Sequence, residues 1–285
     1  MTAFPATRTM ANVICIVSQK GGTGKTTTAV NIAGALALFE RRTLLIDCDP
    51  LGNATTGLGI EKQTLLADLS DVLTGKLPPE VVVVETEMPH LELLPARFSL
   101  MEVEKAISLS ADRQIRLRKR VETIADSYDY ILIDAPPSLN FLAVSAMICA
   151  DWLLIPVQCQ IYALEGMGQL LAIAGSLKKK QNPSLSIAGV LFTMCPDAAE
   201  GQLICPEEIV GTFHKNLFHT TIPWDRLLRE SSDYGRPLVL HDITSRGARA
   251  YLELAMELVN FFEQETSPSS GPSPAIENSK EGVAP

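Results

Sequence analysis

The chain has 285 residues, of which 46% are hydrophobic and 20% charged, and its formal net charge is -9. This apolar content supports the core of one large domain or at most two. The acidic balance excludes a general electrostatic attraction to nucleic acid or to anionic lipid, so either partner would need a local basic patch.

The chain contains six cysteines, and none of them forms a C-x-x-C pair. The spacings typical of zinc sites and redox pairs are therefore missing, and we expect reduced thiols. Residues 1–10 lack the apolar core of a signal peptide and predict a flexible lead. No run approaches the roughly 18 apolar residues that a membrane-spanning helix needs. These features predict a cytoplasmic protein.

Short apolar runs recur along the chain, and each is followed by a helix-like pattern. Several runs are apolar on both faces, such as "VICIV", "TLLID" and "YILID". A strand that helices bury on both sides has this composition, as in a parallel sheet. The alternation predicts an α/β fold: a doubly wound, mostly parallel sheet flanked by helices. The predicted strands are Val13–Ser18, Thr43–Asp47, Leu91–Pro95, Tyr130–Asp134, Trp152–Pro156, Ile187–Thr193 and His219–Ile222.

The first predicted strand runs into a glycine-rich loop and then a helix, in the segment "VICIVSQKGGTGKTTTAVNIAGALA". This order is the context that a phosphate-binding loop requires. Glycines let backbone N–H groups approach a phosphate, and the positive end of the following helix faces the same anion. Lys25 is expected to reach the β- and γ-phosphates, and the Thr26 hydroxyl to bind Mg²⁺. The predicted nucleotide-binding residues in this stretch are Gly21, Gly22, Thr23, Gly24, Lys25, Thr26 and Thr27.

The loop departs from the common pattern G-x-x-x-x-G-K-[ST] at its start. Gln19 stands where the pattern has its first glycine, and a second lysine, Lys20, follows it. A loop lysine is by default a solvated side chain. The position of Lys20 beside the glycines favours a role at the phosphates instead.

Three aspartates end apolar strands downstream of the loop. Asp47 and Asp49 lie in "LLIDCDP", and Asp134 ends "YILID". Positions i and i+2 of an extended segment point to the same side, about 7 Å apart, and ligands bind at the carboxyl ends of strands in open α/β sheets. One such aspartate alone would be interpreted as a helix cap or a loop salt bridge. With the phosphate loop, they predict Mg²⁺ binding and water positioning by Thr26, Asp47, Asp49 and Asp134.

The C-terminal part of the chain divides into a helix and a polar tail. The pattern over Ser245–Glu265 predicts a helix with Ser245 as its N-cap. Residues 266–285 are rich in Ser, Pro and Gly and contain too little apolar surface to offset the entropy of ordering, so we expect disorder there. The predicted globular domain therefore comprises residues 11–265.

Four segments occur in a distinctive order: "KGGTGKTT", "LLIDCDPLGNATTGLG", "YDYILIDAPPS" and "IPVQCQIYALEG". Together they resemble the ParA/Soj group of partition ATPases, which is related to MinD. The resemblance extends from about residue 12 to residue 262. It implies a deviant P-loop NTPase that hydrolyses ATP to ADP and phosphate, uses ATP and Mg²⁺, and forms a homodimer on binding ATP.

The same resemblance implies a role for individual residues. Lys20 would reach across the dimer to the phosphates of the other chain, and Asp49 would orient the attacking water. Asp47 and Asp134 would hold the water shell of Mg²⁺. The nucleotide's adenine would lie between Met194 and the Ile222-Pro223 segment, so Met194 and Pro223 complete the expected nucleotide contacts.

Soj-like proteins bind double-stranded DNA non-specifically as ATP dimers, through surface arginines, and are released when a ParB-like partner stimulates hydrolysis. The resemblance thus implies chromosome or plasmid segregation by a nucleoid-associated protein. In this chain Trp224 and Leu227 stand where relatives have arginine. The arginines that could supply the charge instead are Arg226, Arg229, Arg246 and Arg249.

Two alternatives stay open at this point. Some ParA relatives use the same ATPase cycle to position chemotaxis arrays, carboxysomes or similar cargo through an adaptor protein. A MinD-like protein would instead bind a membrane through a cationic amphipathic C-terminal helix. The segment "YLELAMELVNFFEQE" carries four glutamates and no Lys or Arg, and an anionic leaflet repels acidic groups. We therefore disfavour membrane binding.

Overall fold

The computed structural model describes residues 11–107, 109–159, 166–196, 211, 213 and 216–265. Its centre is a seven-stranded sheet with the strand order β3-β4-β2-β5-β1-β6-β7. All neighbouring pairs are parallel except β3 and β4, which are antiparallel. The strands are β1 (Asn12–Ile16), β2 (Thr43–Asp47), β3 (Val84–Glu85), β4 (Leu91–Leu94), β5 (Tyr130–Asp134), β6 (Trp152–Gln158) and β7 (Ser186–Thr193).

The mostly parallel sheet confirms the predicted fold class, with two differences in detail. The two-residue strand β3 has no counterpart among the predicted strands. The predicted strand over residues 219–222 is wrong, because this part of the chain makes isolated bridges at Leu217 and Pro223 rather than a continuous ladder. It still lies beside β7, where the N–H of Ile222 donates to the carbonyl of Phe192 at 2.8 Å.

Helices cover both faces of the sheet, as a doubly wound fold requires. One face packs mainly against α1, α10 and α11, and the other against α3, α5, α6, α7 and α8. Within the described residues, the α-helices are α1 (Lys25–Leu38), α2 (Asn53–Gly57), α3 (Leu69–Thr74), α4 (Pro79–Val82), α5 (Val103–Ala106), α6 (Arg116–Glu122), α7 (Phe141–Cys149), α8 (Met167–Lys180), α9 (Arg226–Asp233), α10 (Leu238–His241) and α11 (Arg246–Glu265).

Helix α11 confirms the predicted C-terminal helix. The hydroxyl oxygen of Ser245 accepts the N–H of Ala248 at 3.1 Å, which is the hydrogen bond of an N-cap residue. The apolar face of α11 is buried, and the hydroxyl of Tyr251 lies 3.2 Å from that of Thr28 on α1. The predictions for residues 1–10 and 266–285 fall outside the described part of the chain.

The strand order determines where the polar residues meet. Strands β2, β5 and β1 are neighbours, and Asp47 is the register partner of Asp134, which in turn pairs with Ile16. The glycine-rich loop begins directly after β1. Because parallel strands end at the same edge, the loop and both aspartates come together at the carboxyl end of the sheet.

Candidate nucleotide-binding site

The loop between β1 and α1 has a closed conformation with two left-handed glycines, Gly22 (φ 77°) and Gly24 (φ 84°). Within it, the hydroxyls of Ser18 and Thr23 are 2.6 Å apart. From outside, the hydroxyl of Thr193 at the end of β7 donates to the carbonyl of Thr23 at 2.9 Å. These hydrogen bonds hold the loop in place, with the N-terminus of α1 directly behind it.

Lys25 is 7% exposed and lies folded against this loop. Its Nζ donates to the carbonyl of Lys20 at 3.3 Å and to the hydroxyl of Ser18 at 3.5 Å. Burial lowers the pKa of Lys25, while the carboxylates of Asp134 and Asp49 oppose that shift. A buried ammonium held by weak neutral acceptors is well placed to gain from an anion.

Asp47 is completely buried, and both of its carboxylate oxygens are hydrogen-bonded. Oδ2 accepts the N–H and the hydroxyl of Thr55, each at 2.8 Å, and Oδ1 accepts the N–H of Asp49 at 3.1 Å. Burial raises the pKa of Asp47 to about 6, although these hydrogen bonds work against the shift. Asp49 is itself buried, and its Oδ1 accepts the N–H of Leu51 at 3.0 Å.

Asp134 is also completely buried, but its environment is different. Neither of its carboxylate oxygens accepts a hydrogen bond of normal geometry from the described part of the chain. Burial raises the pKa of Asp134 well above its ordinary value, and the nearby Asp47 carboxylate adds to this rise. The Thr26 hydroxyl and Lys25 oppose it. A buried carboxylate without donors is costly, so this site is suited to a cation that is brought by a ligand.

The residues at this edge fit a Mg²⁺ ion that is held mainly by phosphate and water. Among the described residues, no group of three or more His, Cys, Asp or Glu side chains is arranged to hold a metal by itself. Mg²⁺ commonly takes only one or two carboxylates together with substrate phosphates and waters. Asp134 and the hydroxyl of Thr26 supply such oxygens beside the loop. Direct roles for Asp47 and Asp49 stay predictions, since Asp47 already accepts three hydrogen bonds from within the chain.

The two residues predicted beside adenine come from segments that lie next to each other. Met194 directly follows Thr193, which contacts the loop, and its φ is +54°. Pro223 forms a parallel bridge with Cys195, and the N–H of Cys195 donates to the carbonyl of Ile222 at 2.9 Å. The structure thus places both segments at the end of β7 near the loop, and their contact with adenine stays a prediction.

The four arginines predicted to contact DNA are exposed and belong to two helices with a shared anchor. Arg226 and Arg229 lie in α9, and Arg246 and Arg249 in the first turn of α11. The Asp225 carboxylate accepts an N–H from the start of each helix, at 2.9 Å in both cases. Arg226 also pairs with Glu230 at 3.2 Å.

Trp224 and Leu227, the positions where the resemblance leads us to expect arginine, lie in different environments. Trp224 is 63% exposed, and its carbonyl accepts a hydrogen bond from Arg246 at 3.4 Å. Leu227 packs against the core. Only one of the two replacements therefore adds an apolar side chain to the surface.

Some residues of the site have no signal in the sequence. Thr55 holds Asp47 from eight positions away, and Thr193 holds Thr23 from 170 positions away. The hydroxyl of Ser18 lies inside the loop, yet hydroxyls are common in loops of every kind. Only tertiary structure identifies the roles of these side chains.

Comparison with known proteins agrees with this geometry. Residues 11–187 match a family model described as an AAA domain. The chain is 41% identical over 251 residues to the chromosome partitioning protein ParA of Myxococcus xanthus, covering 88% of this chain and 89% of the relative. It is 40% identical over 249 residues to the sporulation initiation inhibitor protein Soj of Bacillus subtilis, covering 87% and 98%.

Solved structures extend the likeness. One is a cobyrinic acid a,c-diamide synthase from Mycobacterium smegmatis with bound ATP analog and magnesium, at 28% identity and a TM-score of 0.77, covering 90% of this chain and 97% of that one. Another is the septum site-determining protein MinD of Pyrococcus horikoshii OT3 complexed with Mg-ADP, at 29% identity and a TM-score of 0.73, covering 91% and 100%. The identity to the partition proteins is about 40%, whereas the identity to the synthase and to MinD is below 30%. The chain belongs to the ParA/Soj family of partition ATPases.

Proposed function

We propose that this ATPase dimerises on binding ATP, binds DNA non-specifically as a dimer, and is released when a partner protein stimulates hydrolysis. Its role would be chromosome or plasmid segregation in the cytoplasm, in association with the nucleoid. The partner would be ParB-like, with a basic segment that suits a chain of net charge -9. The partition relatives, at about 40% identity, support this choice of process.

The observation that carries the catalytic part of the proposal is the buried Asp134 carboxylate beside the phosphate loop. It has no hydrogen-bond donor of normal geometry among the described residues, and Lys25 is the nearby cation that lowers its pKa. A site that lacks only a cation and an anion suits a Mg²⁺–triphosphate. When bound, Mg²⁺ neutralises charge on the β- and γ-phosphate oxygens.

The chain's own residues then have defined tasks. Lys25 exchanges its weak contacts to Ser18 and to the Lys20 carbonyl for charge-assisted contacts to phosphate. Asp49, fixed through its Oδ1 and its backbone N–H, keeps Oδ2 for orienting a water. Lys20 supplies a cation to the other chain, as an arginine finger does, for which rate effects of about 10³–10⁵ are typical. Hydrolysis is thereby coupled to dimerisation.

Two substitutions test this cycle directly. Asp49→Ala is expected to bind ATP and to remain dimeric in gel filtration, because the nucleotide is no longer cleaved. Lys20→Ala is expected to keep ATP affinity but to lose hydrolysis. A normal hydrolysis rate in Asp49→Ala would remove Asp49 from water positioning, and a normal rate in Lys20→Ala would remove the lysine contributed across the dimer.

The proposed DNA surface is formed by the exposed arginines of α9 and α11. A double variant, Arg246→Ala with Arg249→Ala, is expected to weaken ATP-dependent binding of random duplex. The salt slope should fall by up to about 0.9 for each phosphate that the variant no longer neutralises. Arg118→Ala is the charge control, because Arg118 is a partly exposed arginine that belongs to α6 and not to α9 or α11, and it pairs with Glu122. An equal weakening in the control, or no ATP-dependent binding at low salt, would contradict the proposal.

The membrane alternative is disfavoured by how α11 packs. Its carboxylate Glu257 accepts the N–H groups of His219 and Thr220, and Glu263 pairs with Arg41 at 3.2 Å. The apolar face of the helix is buried in the core and is not available to a lipid surface. Among the described residues, no helix is long and apolar enough to cross a bilayer.

A different cargo is the second candidate, and the exposed Trp224 favours it. An apolar side chain at a position that relatives give to arginine suits a protein contact better than a phosphate contact. If an adaptor protein docks there, Trp224→Arg is expected to strengthen DNA binding and to reduce hydrolysis stimulated by the adaptor. If segregation of DNA is the sole function, the same variant is expected to leave partner stimulation unchanged.

A further inference from the structure

Gln19, which replaces the first glycine of the common loop pattern, connects the phosphate loop to α8. Its Nε2–H donates to Oε1 of Gln169 at 2.6 Å, although the two residues are 150 positions apart. Gln169 lies in the first turn of α8. A glycine at position 19 could not make this contact, so the departure from the pattern gives the loop a side-chain link to a helix that follows β6.

The start of α8 is shaped to receive the Gln19 side chain. Gly166, the N-cap of α8, has a φ of +86°, and a Cβ atom there would lie 2.7 Å from Gln19 Oε1 and 3.1 Å from its Cβ and Cδ atoms. Gln19 Oε1 is buried and has no hydrogen-bond partner among the described residues. An unpaired buried amide oxygen costs free energy, so its retention in this close fit points to a function.

The neighbouring residue, Lys20, has its backbone held on the other side. Its carbonyl accepts hydrogen bonds from Lys25 Nζ at 3.3 Å, from the Ser18 hydroxyl at 3.3 Å and from the Thr23 hydroxyl at 3.4 Å. The Lys20 backbone is therefore held by the loop's own hydrogen bonds, and the neighbouring Gln19 connects it to α8. A small cavity between them is lined by Lys20 and by Met167 and Leu170 of α8.

We propose that Gln19 is a positioning residue that orients Lys20 for its action across the dimer, by tying the loop to Gln169. The inference depends on the role proposed for Lys20. The link makes the direction of the lysine depend on where α8 lies, so a partner that displaces α8 changes hydrolysis without touching the nucleotide. Catalytic groups must be held closely, since a displacement of about 1 Å can cost up to about 10²-fold in rate.

A double-mutant cycle in the full chain tests the link. Gln19→Ala and Gln169→Ala are each expected to lower kcat for ATP hydrolysis about tenfold, with KM and the affinity for a fluorescent ATP analogue unchanged. The double variant is expected to lose no more than either single variant, because both remove the same hydrogen bond. Multiplicative losses, or an unchanged kcat in either single variant, would overturn the proposal.

Gly166, the N-cap of α8, and Gly168 within the helix provide variants that leave Gln19 in place. Gly166→Ala puts a methyl group where Gln19 lies, at a backbone of positive φ that also strains alanine, and is expected to reproduce the fall in kcat. Gly168→Ala adds the same methyl group two residues away, where nothing lies within 4 Å, and is expected to leave kcat unchanged. Equal effects of the two variants would contradict the proposal. Thermal unfolding of both shows whether either fails to fold.

Two further measurements separate this inference from the proposed function. In a Lys20→Ala background, Gln19→Ala is expected to cause no additional loss. If Lys20→Ala itself leaves hydrolysis unchanged, the role proposed for the lysine fails. Should Gln19→Ala and Gln169→Ala still lower kcat in that case, their effect acts on another part of the loop, and the proposal that Gln19 positions Lys20 is overturned. Gln19→Glu removes the Nε2–H donor that Gln169 Oε1 accepts, and it is expected to lower kcat as Gln19→Ala does. A purely structural role would lower its stability and leave its kcat unchanged.

Discussion

The ends of β2 and β5 lie side by side and carry the same residue, yet they are built differently. Asp47 and Asp134 are register partners, and both are completely buried. Asp47 accepts three hydrogen bonds from Thr55 and Asp49. Asp134 accepts none of normal geometry from the described residues.

The difference separates a structural carboxylate from one that is kept for a ligand. Buried polar groups are normally paired, because an unpaired one costs about 1–3 kcal/mol and a charged one costs more. The aspartate without hydrogen-bond donors of normal geometry among the described residues lowers the free energy of unfolding. A cation that binds to it raises that free energy again. Identical substitutions at the two positions should therefore have opposite consequences.

The largest effect is expected for hydrolysis in Asp134→Asn. Removing the charge takes away the carboxylate that faces the loop, so we expect ATP hydrolysis to fall by at least about 10²-fold. Steady-state phosphate release at saturating ATP and Mg²⁺ measures this. Activity within about threefold of the unsubstituted protein would show that the unpaired carboxylate has no part in the reaction.

The same substitution at the two aspartates gives the sharpest test of the comparison. Asp47→Asn replaces an oxygen that accepts bonds from Thr55 or Asp49 by a donor, and we expect the free energy of unfolding to fall by about 3 kcal/mol. In the nucleotide-free protein, Asp134→Asn removes a buried carboxyl that has no donor of normal geometry among the described residues, and we expect a gain of about 1 kcal/mol. Urea unfolding at about pH 7.5 measures both. Equal losses would mean that the two environments are energetically alike.

The sequence predicts this edge of the molecule well, since its chemistry lies in local patterns. The loop follows an apolar strand, and the aspartates end two others, so their meeting follows from parallel order alone. It could not predict which aspartate is satisfied, because Thr55 reaches Asp47 only after α2 folds back. Strand β3, with two residues, is too short for a periodic signal. Gln169 is invisible as a partner of Gln19 without the tertiary structure.

The pH dependence of stability should report the two buried carboxyls. Burial raises the pKa of Asp47 to about 6 and that of Asp134 well above its ordinary value. Between the unfolded and folded pKa values the native chain keeps protons that the unfolded chain has lost, so stability falls as pH rises. We expect the nucleotide-free protein to lose more than about 2 kcal/mol between about pH 4.5 and pH 7, because Asp47 alone accounts for about that much, and Asp134→Asn to lose less. Urea midpoints across this range measure it; parallel pH profiles for the two proteins would contradict the assignment.

The smallest loss of stability is expected at Thr55, which connects Asp47 to the segment after β4. Its hydroxyl donates to Asp47 Oδ2 at 2.8 Å and accepts the N–H of Ala96 at 3.0 Å. Thr55→Val keeps the shape of the side chain but removes one donor to Asp47 Oδ2 and the acceptor of the Ala96 N–H. We therefore expect the free energy of unfolding to fall by about 1.5 kcal/mol. Thr55→Ser keeps the hydroxyl and should lose less, which urea unfolding can resolve. If valine is tolerated without loss, Asp47 is held mainly by backbone N–H groups, and the contrast with Asp134 rests on the main chain alone.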